Sequence, residues 1–174
     1  MTDLQIIKQI EQKLSIKLEK VDKFEWKTIG YSLDTNDNVT GLRLLKCKIE
    51  EFNEIVESLK KFKQLTYLDL SYNEISDISF LKDLKNLTSL DLCFNEISDF
   101  SLLKDFKSLT RLNLSYNKIT DISFLKDFKS LTYLNLSSNQ ISDFSFLKDL
   151  KNLTSLNLSS NKITDISFLK DLKI

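Results

Sequence analysis

Apolar positions in residues 65–174 follow neither a plain helical nor a plain strand period, but their whole arrangement recurs every 22 residues. Five copies run without insertion from Leu65, Leu87, Leu109, Leu131 and Leu153, each close to LTxLxLSxNxIxDxSFLKDLKN. A fixed period of this size marks a stacked array, in which one unit cannot bury its apolar face alone and its neighbours complete the burial. Eight positions are apolar in all five copies, represented by Leu65, Leu68, Leu70, Ile75, Ile78, Phe80, Leu81 and Leu84. Leu68 and Leu70 alternate as in a strand and are expected to face inward. At roughly 1.5–3 kcal/mol for each fully buried side chain, these columns should dominate stability. About six residues remain on the back of each unit, enough for a 3₁₀ turn or a single α turn.

The polar columns sort by what their chemistry can do. Asn73, Asn95, Asn117, Asn139 and Asn161 stand where the chain leaves each strand. An amide donates and accepts at once, so a buried column of them can satisfy backbone groups that turns leave unpaired. Ser79, Ser101, Ser123, Ser145 and Ser167 precede the apolar pair of the back turn and read as N-caps. Asp77, Asp99, Asp121, Asp143 and Asp165 read as turn formers. The columns that begin at Lys82, Asp83 and Lys85 mix both signs and read as a solvated face.

Upstream of the regular copies, Leu4, Ile7, Ile10, Leu14, Leu18 and Val21 form one helical stripe, with Thr2 and Gln5 as a capping box. Such a helix is marginal alone and is expected to cover the open N-terminal end of the array. Phe24 and Trp26 follow, and the pattern then turns to alternation at Ile29, Tyr31 and Leu33. The turn formers of residues 34–38 predict a β-hairpin, 29–33 against 39–44, that blunts the first strand edge. Residues 39–64 read as a divergent first unit. Val39, Leu42, Leu44, Cys47 and Ile49 match the offsets of Leu65, Leu68, Leu70, Asn73 and Ile75. Four extra residues lengthen its back, where Ile55, Val56, Leu59 and Phe62 have helical spacing. The organisation expected is a cap over 1–38, then units 39–64, 65–86, 87–108, 109–130, 131–152 and 153–174.

The core LxxLxLxxNxIxD, as in Leu65 to Asp77, resembles the leucine-rich repeat. It is closest in length to the 22-residue subclass of bacterial internalins and of the regulatory subunit of protein phosphatase 1. The resemblance implies an α/β fold, a curved right-handed solenoid. Its parallel sheet would be concave and its short 3₁₀ or helical turns convex, with a helix-hairpin cap at the N-terminus. It also implies that partners bind on the concave side. The chain departs from the internalin pattern at the residue before the back-turn leucine, where Phe80, Leu102, Phe124, Phe146 and Phe168 replace proline.

Composition narrows the chemistry. Lys plus Arg equals Asp plus Glu at 25 each, so no net field draws the chain to nucleic acid or to an anionic membrane. With no histidine and only two glycines, Gly30 and Gly41, a His-based triad, a His metal site and a Gly-rich phosphate cradle are excluded. Neither an enzyme nor a cofactor is expected. Cys47 and Cys93 sit in units one and three, about 9–10 Å apart by strand spacing, beyond disulfide reach. Cysteine usage and an N-terminus without a secretory pattern point to a cytoplasmic location.

A concave surface exposes three columns. Before the asparagine lie Lys46, Tyr72, Phe94, Tyr116, Ser138 and Ser160; between the inward leucines lie Arg43, Asp69, Asp91, Asn113, Asn135 and Asn157. Two residues earlier lie Gly41, Tyr67, Ser89, Arg111, Tyr133 and Ser155. Aromatic side chains anchor interfaces, so Tyr67, Asp69, Tyr72, Asp91, Phe94, Arg111, Tyr116 and Tyr133 are the candidate contacts. Their acids suggest a protein or peptide partner with basic residues and an apolar knob. The runner-up reading is a recognition segment of a larger regulatory protein. The last strand would present an unpaired edge, covered by further chain or by the same strand of a second copy in a two-fold dimer.

Overall fold

A computed structural model describes residues 1–25, 27–47 and 52–172. Trp26 and Ile49, given structural places above, lie outside the described residues, as do residues 173 and 174.

Helix α1, Asp3–Leu14, begins with the expected capping box: the Gln5 N–H donates to Thr2 Oγ1 and the Thr2 N–H to Gln5 Oε1. It is shorter than the apolar stripe. Ser15 turns left-handed at φ 51°, and Ile16 N–H reaches back to Glu11 O at 3.1 Å, closing a Schellman motif. Leu18 is still buried, but it arrives from extended chain, its N–H held by Glu11 Oε1 at 2.8 Å. The helical spacing of Leu18 and Val21 is therefore coincidental, and the chain there enters a short strand β1, Glu19–Lys20.

Strands β2 (Gly30–Leu33) and β3 (Val39–Arg43) form the antiparallel hairpin. Asp34 organises its turn by accepting the N–H groups of Asn36 and Asn38. β1 adds in parallel to the far side of β2. That pairing needs glycine at position 30, where a Cβ would stand 2.2 Å from the Glu19 carbonyl oxygen. Asp3 ties helix to array by accepting the Val39 N–H at 2.8 Å.

From β3 onward the sheet is parallel through β4 (Tyr67–Asp69), β5 (Ser89–Asp91), β6 (Arg111–Asn113), β7 (Tyr133–Asn135) and β8 (Ser155–Asn157). Each strand pairs the residue 22 places on, except that Gly41 pairs Tyr67, 26 places on. The extra four residues are absorbed by helix α2, Phe52–Leu59, on the back of the first unit. The other units turn through 3₁₀ segments at Ser79–Asp83, Ser101–Asp105, Ser123–Asp127, Ser145–Asp149 and Ser167–Asp171. Between sheet and turns runs one apolar core in which Phe100, Phe106, Phe128 and Phe144 are the largest fully buried side chains. In the last unit Ile163, Ile166 and Leu169 are exposed, and among the described residues β8 pairs with β7 alone.

Two polar columns lock the stack. Asn95 Nδ2 donates to Leu70 O, Leu92 O and Cys93 O while its Oδ1 accepts the N–H groups of Asn73 and Ile75. Asn73, Asn117, Asn139 and Asn161 repeat the pattern, and Cys47 takes the first place, with its N–H donated to Asn73 Oδ1. A second ladder escaped the sequence reading. The hydroxyls of Thr66, Thr88, Thr110, Thr132 and Thr154 donate in turn to the carbonyl of the threonine one unit earlier, starting from Thr40, at 3.0–3.2 Å. Its signal was a threonine at the second position of all six units, after Val39 in the first and after leucine in the other five.

The serine caps are corrected. The residues before the 3₁₀ turns are Ile78, Phe100, Ile122, Phe144 and Ile166, and none makes a side-chain cap. The aspartates do that work two residues ahead: Asp77, Asp99, Asp121, Asp143 and Asp165 each accept the N–H of the following serine at 2.8–2.9 Å. These bonds hold the Asp99, Asp143 and Asp165 carboxyls below the usual carboxylate range.

Candidate functional site: an aromatic ribbon on the parallel sheet

At the exit of each strand the backbone turns left-handed. Lys46, Tyr72, Phe94, Tyr116, Ser138 and Ser160 have φ of 53, 61, 52, 54, 55 and 56°. Such a conformation is uncommon for a bulky residue and persists only when its surroundings over-determine it. From Tyr72 onward two sets of bonds do so. The side-chain oxygens of Asp69, Asp91, Asn113, Asn135 and Asn157 accept the N–H two residues on, at 2.9–3.2 Å, forming an Asx turn just before the left-handed residue. The asparagine ladder holds the chain just after it.

With the backbone pinned, the side chains of this column form a ribbon. The rings of Tyr72 and Phe94 stack with centroids 4.2 Å apart and planes 12° apart; Phe94 and Tyr116 stack at 3.9 Å and 11°. Lys46 closes the N-terminal end, its ammonium 4.9 Å from the Tyr72 centroid. The rings are 38, 37 and 49% exposed in that order. They line an open groove of about 800 Å³ together with Glu74, Glu96 and Ser138. Glu96 pairs with Lys118 at 2.9 Å.

The other candidate contacts divide. Arg111 and Tyr133 meet, guanidinium over ring at 4.4 Å. Tyr67 does not face open solvent: Phe24 stacks on it at 4.8 Å and 17°, and the same ring fills the space that a Cβ on Gly41 would need. Burial, then the Asp69 charge, pushes the Tyr67 hydroxyl up to about 12. Asp69 is a correction. Expected to point outward, it is 1% exposed, because Arg43 lies 2.7 Å away and Ser71 donates both its N–H and its hydroxyl to it. Asp91 is half-buried, bonded to the Cys93 N–H and to Asn113 Nδ2. Burial and the neighbouring Asp69 raise its carboxyl above the usual range.

The acids beside the ribbon are thus Glu74 and Glu96, which the sequence reading left out. Their signal was the column after the asparagine, Glu74, Glu96, Lys118, Gln140 and Lys162, whose chemistry changes from unit to unit. The thiols are poorly placed for nucleophilic work. Burial and then Asp69 push Cys47 up to about 11, and burial and then Asp91 push Cys93 higher still. Both are free thiols.

Parallel strands in constant register, 3₁₀ turns behind them and an asparagine ladder between define a repeat solenoid that presents a surface. The family model for leucine-rich repeats matches in overlapping pairs of units across residues 63–105, 85–127, 107–149 and 129–171. The chain belongs to the leucine-rich repeat family.

Among solved structures, the chain is similar to an internalin, InlF from Listeria monocytogenes. Identity is 31% and the TM-score 0.55, with 83% of this chain covered and 45% of that one. It thus spans less than half of that relative's length. The leucine-rich ectodomain of the receptor kinase SOBIR1 from Arabidopsis thaliana shares the fold at 22% identity and a TM-score of 0.66, covering 93% of this chain and 94% of that one. The PEPR1–AtPEP1 structure is similar at 25% identity and a TM-score of 0.59, covering 78 and 20%. No curated protein sequence matches the chain.

Proposed function

We propose that this chain is a non-catalytic scaffold that binds an extended segment of a protein or peptide in the groove along Tyr72, Phe94 and Tyr116. The observation that carries the reading is the ribbon itself. Three rings stand more than a third exposed, on left-handed backbone that the fold imposes whatever the side chain. Smaller residues would satisfy that backbone, as Ser138 and Ser160 do. Large rings there serve something outside the fold, and amphipathic rings of fixed position are the typical anchors of an interface. The PEPR1–AtPEP1 structure supports binding on such an array by analogy of fold.

A peptide-display selection against the wild-type protein tests this, with each binder re-measured on the triple variant Tyr72→Ala, Phe94→Ala, Tyr116→Ala. Binders should lose at least about tenfold affinity, since anchor residues of this type carry most of the energy of an interface. Binders that hold the triple variant as tightly as the wild type would overturn the reading.

A further inference from the structure

The ribbon is closed at one end and open at the other. Lys46 covers the outer face of Tyr72, and Phe94 is sandwiched between its two neighbours. Beyond Tyr116 the next side chain in the column is Ser138, too short to cover a ring, and Tyr116 is the most exposed of the three. Among the described residues no ring or cation lies over that face. Strand pitch is about 4.8 Å, so the space above Ser138 accepts one planar group stacked on Tyr116.

We propose that this end face receives an arginine side chain of the bound segment, its guanidinium stacked on Tyr116 above Ser138 as the next rung of the ribbon. The inference rests on the binding role proposed above and names the residue that the groove selects. Two observations favour a guanidinium. The same face already stacks one on a tyrosine, Arg111 on Tyr133 at 4.4 Å. The opposite end of the ribbon is closed by a cation, so the rings already accept positive charge at a terminal face. A guanidinium is flat and weakly hydrated and stacks on aromatic faces, whereas an ammonium is a compact, strongly hydrated point charge.

The probes are the N-acetyl amides of arginine, lysine and citrulline, titrated into the whole chain and followed by NMR at the Tyr116 ring and the Ser138 amide. Arginine should shift both signals saturably, and lysine and citrulline should bind about two- to fivefold more weakly, the range of an exposed cation–π contact. Ser138→Tyr should fill the space from within and abolish the arginine shift at the Tyr116 ring, because the open end face then moves one unit on, to residue 138 above Ser160. The variant should fold, because Tyr72 and Tyr116 occupy the same column at φ 61 and 54°. Tyr116→Leu, which keeps an apolar side chain without the π face, should abolish the shift at the Ser138 amide.

Equal shifts with arginine and lysine, or an arginine shift at the Tyr116 ring that survives Ser138→Tyr, would overturn the proposal. Display-selected binders separate it from the broader reading. Binders that lose affinity on the triple alanine variant but not on Ser138→Tyr sink the arginine assignment and leave the scaffold standing. Binders indifferent to the triple alanine variant sink the scaffold itself.

Discussion

Replacing Asn95 by alanine removes a side chain whose five hydrogen bonds are not equally replaceable. The carbonyls keep partners: Leu70 O retains Asn73 Nδ2, Leu92 O retains Asn117 Nδ2, and Cys93 O retains the Tyr72 N–H. The donors do not. The N–H groups of Ile75 and Asn73, at 2.8 and 3.3 Å from Asn95 Oδ1, are left buried and unpaired. A buried donor without a partner costs about 1–3 kcal/mol, so Asn95→Ala should destabilise by about 2–5 kcal/mol. At about 2–4 °C per kcal/mol for a chain of this size, the midpoint should fall by roughly 4–20 °C. Asn161 offers the internal control. Its loss orphans one donor, the Ile141 N–H at 3.1 Å, in the half-exposed last unit, and should cost about 1–2 kcal/mol. Urea unfolding followed by far-UV circular dichroism measures both. If Asn95→Ala costs no more than Asn161→Ala, orphaned donors are not what the ladder prevents, and the reasoning fails.

Three further perturbations test other parts of the structure. Asp91→Asn should stabilise at pH 7, because it removes a half-buried carboxylate beside Asp69 while its Oδ1 keeps accepting the Cys93 N–H, which outweighs the loss of the bond that Oδ2 accepts from Asn113 Nδ2. Since the folded carboxyl of Asp91 is raised, its ionisation opposes folding at neutral pH, and the gain should shrink as pH falls toward the unfolded value near about 4; a gain independent of pH in urea titrations would contradict this. Gly30→Ala forces a Cβ against the Glu19 carbonyl and should cost about 1–3 kcal/mol by parting β1 from β2. Amide exchange should then lose protection at Glu19 and Val21, whose N–H groups donate to Ile29 O and Tyr31 O, and unchanged protection would refute it. Asp121→Ala should cost about 0.5–1.5 kcal/mol and Ser123→Ala less, because the aspartate accepts both the N–H and the hydroxyl of that serine; the reverse order in thermal melts would restore the serine as the cap.

What the sequence made legible followed from period and from chemistry confined to one type. Leucine at 68, 90, 112, 134 and 156 admits one reading, an inward strand position, and an invariant asparagine column admits little but backbone satisfaction. The left-handed turn was not legible, because glycine and asparagine are its ordinary signals and the chain places Lys, Tyr, Phe and Ser there. Only the bonds on either side of the turn, seen in three dimensions, explain how those residues are held. Asp69 and Asp91 misled for a related reason. A polar residue between two inward leucines reads as outward surface, yet from 69 onward that column contains only Asp and Asn, the residues that can accept their own backbone N–H two places on. Restriction to one chemistry marks a column that serves the fold. Columns whose chemistry changes from unit to unit, such as Glu74, Glu96, Lys118, Gln140 and Lys162, are free of that duty. The ribbon belongs to this second kind on a backbone of the first. Its geometry is set by the repeat and its side chains are not, so a run of stacked rings there could arise one unit at a time without disturbing the core.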